Sequence, residues 1–486
     1  MMATAYQRWV RGLRPVRDEH TAPARCIAGV VPRELSGTLY RVGPSQRILP
    51  PEGNAGLHLF DGDGLVQKLE FSSGQVTHTS RFVRTASFML EQQSGRFNQH
   101  GLGTRAREPV RAVPMRQQQN THVIAHAGRL LALVESALPV ELAFDSLRRL
   151  GNHDFGLPLA GRPLAAHPKR VDDRDELFIH SCYPVAPYLQ LHRIDRRGAV
   201  VWSADIELPA ATWVHDIALT ERHVIVPLSP VVLDVEQEDG VWIPTDPYAA
   251  VAGQPLGWIV CSRDDGRVCA RIDSAEPALI VHTGRAWDDG ADLVVEAVTY
   301  DDAAAYLAWL QVVRAGGWVP RSQARYARHR LDLARGRASS VTLIERASEF
   351  PRTDDRTIGG PARTTYLAIG AAPAGAAEPA PWDRIARLDG ATGALVEHRL
   401  PPGVWPGEPV FAPRHPGAAE DDGFVLVIGY DDARDRSLLF VLDAGDLAAA
   451  PLATLELAAR VPFGFHGSFV PAPGAAGAPG AASRTS

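Results

Sequence analysis

Of the seventeen histidines in the 486-residue chain, four stand in settings that suggest chemistry. "AAHPKRVD" carries His167, "WVHDIALTERHVIV" carries His215, "IVHTGRAWDDGADLVVEAVTY" carries His282 and "VPFGFHGSFV" carries His466. Taken alone, His466 reads as a core histidine bonded to a backbone carbonyl, because a buried imidazole needs partners for its polar atoms. A metal is another such partner, and imidazole suits zinc, copper, iron and nickel alike. The four are separated by about fifty, seventy and nearly two hundred residues. A helical metal motif would put two ligands four residues apart. Ligands this dispersed need a fold that brings distant segments to a common axis.

Three glutamates add to the pattern. Glu135 in "LALVESALP", Glu349 in "ASEFPRTDDR" and Glu408 in "WPGEPVFAPR" each lie in an apolar, proline-flanked context. A buried carboxylate is costly unless paired. One that accepts the free ring N–H of a ligand histidine fixes its tautomer and raises its basicity. Three such carboxylates would also offset the charge of a divalent ion bound by four neutral imidazoles.

The elements that must position these residues read as short strands. "RLLALVES", "ELFIHSCY", "HVIVPLSPVVLDV", "GWIVCSR", "DLVVEAVTY", "TYLAIG" and "FVLVIGYDD" are rich in Val, Ile, Leu and Tyr and are punctuated by Gly, Asp and Pro. "LHRIDRRGAVV" (191–201), "IARLDGATGALV" (385–396) and "LLFVLDAGDL" (438–447) each place a strand, an Asp and a turn. Hairpins recurring at blade-like intervals predict an all-β propeller, whose blades each send side chains to one axis. The best helical candidate is "DDAAAYLAWLQVVR" (301–314), which groups Tyr306, Leu307, Leu310 and Val313. Residues 1–20 are expected to form an arm, 21–470 a single domain, and 471–486, small and Pro/Gly-rich, a disordered tail.

Composition narrows the partners. A net charge of −6 gives no basic field for nucleic acid. The start lacks the apolar core of a signal peptide, and no run of eighteen apolar residues occurs, so the expected location is cytoplasmic. The four cysteines, Cys26, Cys182, Cys261 and Cys269, form no CxxC pair and are expected to be free thiols.

The motifs "GTLYRVGP" (37–44), "HLFDGDGLV" (58–66), "NTHVIAHAGRLLALVESALP" (120–139), "AHPK", "VHD", "EFPR", "GEPVFAPR" and "PFGFHG" occur in this order. Together they resemble the carotenoid cleavage oxygenases, a group that includes apocarotenoid and lignostilbene oxygenases and a retinoid isomerase. The resemblance implies a seven-bladed propeller with a small helical and loop dome over the metal face. It implies one Fe(2+) per chain held by His167, His215, His282 and His466, with Glu135, Glu349 and Glu408 behind them, and with Thr121 crowding the sixth metal position. It departs from the pattern at Arg285, where the third-ligand motif commonly has Asn.

The implied reaction is cleavage of a conjugated C=C bond by O2 to two carbonyl products. Lignostilbene cleavers carry Lys immediately before the glutamate that is Glu135 here; this chain has Val134, which favours a carotenoid or apocarotenoid over a phenolic stilbene. A stilbene cleaver and a non-catalytic ligand-binding propeller are the alternatives. A lipophilic polyene would require peripheral contact with a membrane surface, for which "TASFMLEQQ" (85–93) and "AAAYLAWLQVV" (303–313) are the candidate segments, and no obligate protein partner is implied.

Overall fold

The computed structural model describes residues 3–472, apart from 109–115, 158, 160–161, 172–173, 239–240, 244–246, 361 and 374–380. Most of the segment expected to be a disordered tail therefore lies outside the described residues. The described residues are built of β-sheet, with three short α-helices among them at Ala5–Val10, Ala86–Ser94 and Ala303–Val312. The helix expected over 301–314 is the last of these, capped at its start by the Asp302 side chain on the Ala305 N–H.

The sheets follow one another along the chain, and their ends interlock. The last described strand, Gly467–Pro471, pairs antiparallel with Gly37–Ser45 near the start. The early strand Arg25–Gly29 pairs with Ala453–Glu456. Each sheet packs its apolar face on the next. Leu39, Leu69 and Phe71 meet Val410, Leu426 and Leu455, and Val42 and Val66 meet Val123 and Leu130. Further round, Leu131 and Leu133 meet Leu177 and Ile179. Burial at these sheet-on-sheet seams, rather than one central core, holds the fold together.

The three strand–Asp–turn repeats form as the sequence suggests, for a local reason. Asp195 accepts the Arg197 and Ala199 N–H groups, Asp389 those of Ala391 and Thr392, and Asp443 those of Gly445 and Asp446. Each carboxylate thus satisfies the otherwise free backbone donors of its turn.

The number of blades differs from expectation. Seven separate blades are not what the hydrogen bonding gives. Among the described residues there are five sheets of four or five strands, one eight-stranded sheet spanning Ala218 to Ile344, and two small two-stranded sheets. The eight-stranded sheet is continuous because Asp273 and Ser274 pair in parallel with Arg337 and Ala338. Two groups of four strands that sequence reading would count as separate blades are thereby merged through a two-residue ladder. The fold is all-β and propeller-like, with five separate blades and this larger sheet.

The two segments considered for membrane contact are largely packed inward. Phe88 is buried against Phe82 and Leu65, while Met89 beside it is exposed. Tyr306 and Leu310 are buried, and Trp309 packs against the same cluster. No helix among the described residues is long and apolar enough to cross a membrane. All four cysteines are free.

Candidate metal centre

The four histidines singled out in the sequence come together. One ligand atom each from His167, His215 and His282 lies within 4.8 Å of the others. The ring of His466 is centred 4.5 Å from that of His167 and 4.8 Å from that of His282. All four side chains are buried.

The backbone delivers them in irregular places. His282 lies on the strand Leu279–Asp289, where the pairing register shifts between Ile280 and Thr283. Such a bulge re-aims a side chain that regular alternation would send elsewhere. His466 immediately precedes the strand Gly467–Pro471. Gly467 is required there, since a Cβ at this position would sit 2.1 Å from the Tyr40 carbonyl oxygen. Glu349 and Glu408 also lie at register shifts of their strands, and Phe350, next to Glu349, has φ of 56°.

Each glutamate meets the Nδ1 of one histidine. Glu135 pairs with His215 and accepts Trp213 Nε1–H at 2.8 Å. Glu349 accepts His282 Nδ1–H at 2.7 Å, the Tyr300 hydroxyl at 2.7 Å and the Phe350 N–H at 2.9 Å. Glu408 accepts His466 Nδ1–H at 2.8 Å, the Gly467 N–H at 2.9 Å and Arg352 Nη1 at 3.0 Å. With Nδ1 occupied, Nε2 is the atom each ring has left to offer. The buried Nε2 atoms of His167 and His282 have no protein partner. Buried polar atoms without partners call for an unseen one, and neutral imidazoles are a donor set for a divalent transition ion. The residues fit a metal.

His167 has no carboxylate on its ring. Burial, and then the neighbouring His215, His466 and His282, push its pKa well below the usual imidazole value, so it stays neutral. Burial likewise pushes His466 down to about 3. His282 moves up instead, because burial is outweighed by Glu349. Glu408 is held well below the carboxylate range: burial opposes this, and Arg352, His466 and Arg41 outweigh it.

Thr121 lines the cavity beside His215, His282 and His466. Its carbonyl accepts the His466 N–H at 3.0 Å, and its hydroxyl donates to Asn120 Oδ1 at 3.2 Å. Arg285, at the departure noted above, takes no part in the cluster and forms a buried ion pair with Glu296. The sequence reading missed His122 and His180. His122 donates from Nδ1 to the Ala166 carbonyl at 3.2 Å, and His180 from Nε2 to the Val214 carbonyl at 2.8 Å. Each thus holds the residue before a candidate ligand. Tyr300 was also missed; only its place in the strand that pairs with the His282 strand could have suggested it.

The cluster borders an apolar cavity. Its walls are mainly aromatic and aliphatic, including Phe60, Val134, Tyr306, Trp309, Trp382 and Phe465. Helix Ala303–Val312 supplies two of these.

The family model described as retinal pigment epithelial membrane protein (RPE65) matches residues 13–471. The chain belongs to the carotenoid cleavage oxygenase family. Within that family it is 29% identical over 485 residues to the apocarotenoid-15,15'-oxygenase of Synechocystis sp., covering 95% of this chain and 96% of that protein. It is 29% identical to a carotenoid cleavage oxygenase of Mycobacterium tuberculosis, over 94% of this chain and 96% of that one. The structure is similar to that of a Glu-to-Gln variant of Synechocystis apocarotenoid oxygenase, with a TM-score of 0.85, 26% identity, and coverage of 97% of this chain and 100% of that chain. It is also similar to the cobalt-substituted form of that oxygenase, with a TM-score of 0.83, 26% identity, and coverage of 96% and 99%.

Proposed function

We propose that this chain is a non-haem Fe(2+) dioxygenase that cleaves a conjugated C=C bond of a carotenoid or apocarotenoid with O2. The bond breaks and each carbon takes one oxygen atom, giving two carbonyl products. The observation that carries this reading is the meeting of four buried imidazoles at the wall of an aromatic cavity, three of them paired with glutamates. His167, His215, His282 and His466 would hold the ion. Its chemistry is the activation of O2 beside the alkene.

The protein's own part is positioning. The apolar walls bind the polyene and exclude water, so the bond laid against the cluster is the bond cleaved. Tyr300, Trp213 and the Gly467 N–H satisfy the remaining oxygens of Glu349, Glu135 and Glu408, and Arg352 adds a second donor to the Glu408 oxygen that meets His466. Thr121 narrows the cavity beside the imidazoles and limits what else can approach the ion. Residues 21–470 act as one catalytic domain, because the candidate ligands span residues 167–466 and the strand that follows His466 pairs with Gly37–Ser45 near the start.

Val134 supports a polyene over a phenolic stilbene. It lines the cavity next to Glu135, where an ammonium group would be needed to bind a phenolic oxygen. A polyene is poorly soluble in water, and transient contact with a membrane surface, with Met89 among the exposed apolar side chains, would supply it. The test is to load the protein with Fe(2+), offer a panel of carotenoids, apocarotenals and stilbenes, and identify the carbonyl products by mass. Paired aldehydes from a polyene are expected. Cleavage of stilbenes alone would replace the substrate assignment, and no cleavage of any alkene would overturn the reading.

A further inference from the structure

Three of the four imidazoles are backed by a glutamate, and His167 is not. Its segment is tied to the others by a different contact. Lys169, two residues on, reaches the carboxylate of Asp216, with Nζ 2.8 Å from Oδ1 and 2.9 Å from Oδ2. Asp216 directly follows His215. Its Oδ2 also accepts the N–H of Thr283 at 2.8 Å and the Thr283 hydroxyl at 2.9 Å, and Thr283 directly follows His282. Oδ1 takes the Ile217 N–H at 2.7 Å. Asp216 is 2% exposed, and each of its oxygens is used.

We propose that Asp216 is a positioning residue: it joins the three segments that carry His167, His215 and His282, and so sets how their imidazoles meet a metal ion. The proposal rests on the reading of those imidazoles as metal ligands. The three segments that meet at Asp216 carry the same three histidines whose ligand atoms cluster within 4.8 Å. His466 stands apart, fixed by Glu408 and Arg352. The centre is thus assembled as three plus one. Lys169 is one of only two lysines in the chain, and a flexible ammonium can reach one carboxylate through both oxygens without the planar fit that a guanidinium demands.

A buried ion pair of this kind could instead merely hold sheets together, and a loss of activity would not separate the two roles. The separating readout is the geometry of the metal. Cobalt(II) is added to metal-free wild-type protein and to Asp216→Asn, Thr283→Val and Glu91→Gln, and its affinity and visible d–d absorption are recorded beside the thermal midpoint of each metal-free protein. Glu91 forms a buried ion pair with Arg116 outside the cluster, so Glu91→Gln controls for destabilisation alone.

Asp216→Asn is expected to weaken cobalt binding about 10–100-fold, as for other groups that orient ligands, and to shift the d–d bands. Thr283→Val, which removes one hydroxyl, should do the same to a smaller degree and serves where Asp216→Asn does not fold. Glu91→Gln should lower the midpoint and leave the spectrum as in wild type. Native cobalt affinity and bands in Thr283→Val and in any folded Asp216→Asn would overturn the proposal. A wild-type protein that binds no cobalt at all would instead overturn the metal reading beneath it.

Discussion

The imidazole cluster separates two unlike spaces. On one side is the cavity of Phe60, Val134, Tyr306, Trp309, Trp382 and Phe465. On the other, His167, His282 and His466 face a polar cavity lined by Lys169, Asp216, Arg352, Asp355 and Glu408. In this second space charges are paired: Lys169 with Asp216, and Arg352 with both Asp355 and Glu408. The apolar side is shaped to hold a substrate, and the charged side to hold the ligands. Substitutions on the first should therefore change what is cleaved, and substitutions on the second whether a metal is held.

The largest expected effect lies at the boundary itself. Replacing His167, His215, His282 or His466 with Ala should reduce metal content and polyene cleavage to background, read by elemental analysis and product formation. Full activity in any one would remove that residue from the centre.

Next come the three glutamates, Glu408 on the charged side and Glu135 and Glu349 at the wall of the apolar cavity. Glu135→Gln, Glu349→Gln and Glu408→Gln keep the shape and remove the charge, which should cost roughly 10–100-fold in metal affinity or activity. Glu408→Gln should also destabilise the fold most, because Arg352 would lose one of its two carboxylate partners and keep only Asp355. Chemical denaturation of the metal-free proteins measures this. Equal stability in all three would make Glu408 no different from the others.

The apolar side should respond in selectivity rather than in metal content. Val134→Lys places an ammonium in the cavity wall and should shift relative kcat/KM from polyene toward a phenolic stilbene by about tenfold or more, the size of one hydrogen bond to a charged group. Metal content should stay as in wild type. An unchanged ratio would show that this position does not touch the substrate.

Much of this centre was legible in the sequence. His167, His215, His282, His466 and the three glutamates could be named because each sits in a distinctive local string, and Asp195, Asp389 and Asp443 marked their turns for the same local reason. What could not be read depends on long-range register. The bulges that turn His282, Glu349 and Glu408 to their partners arise from how strands align, not from composition. The eight-stranded sheet depends on two residue pairs between segments more than sixty residues apart. Phe88 and Trp309 look like a membrane-seeking surface in a linear string, yet Phe88 is buried against Phe82 and Leu65 and Trp309 is half-buried against the apolar core.

A milder contrast separates the cluster from histidines buried elsewhere. Burial pushes His192 and His329 down to about 4 and His78 down to about 3. Unfolded, each would titrate near about 6.5. Below that value the unfolded chain binds protons that the folded chain refuses. Their contribution to stability is therefore full above about pH 6.5 and is lost as the pH falls toward 4. The denaturation midpoint of the metal-free protein should decline across this window. A flat profile would show that these rings find a protonated form inside the fold.

The smallest effect is expected at His223, which lies eight residues after His215 but bonds Asp288 at 2.9 Å rather than the cluster. His223→Gln should leave metal content and cleavage near wild type, and a loss of metal there would blur the boundary of the site.

The central claim is that the four imidazoles would hold an iron ion, which would supply the activation of O2 beside a polyene lying in the aromatic cavity. Its most direct test is a single turnover under 18O2, using protein loaded with one equivalent of Fe(2+) and an apocarotenal, with rapid trapping of the products against exchange with water. The account predicts one pair of aldehydes per iron-loaded chain, 18O in both new carbonyls, and no product from the His282→Ala protein treated in the same way. Cleavage that proceeds equally without iron, or iron-loaded protein that leaves the polyene intact, would contradict it.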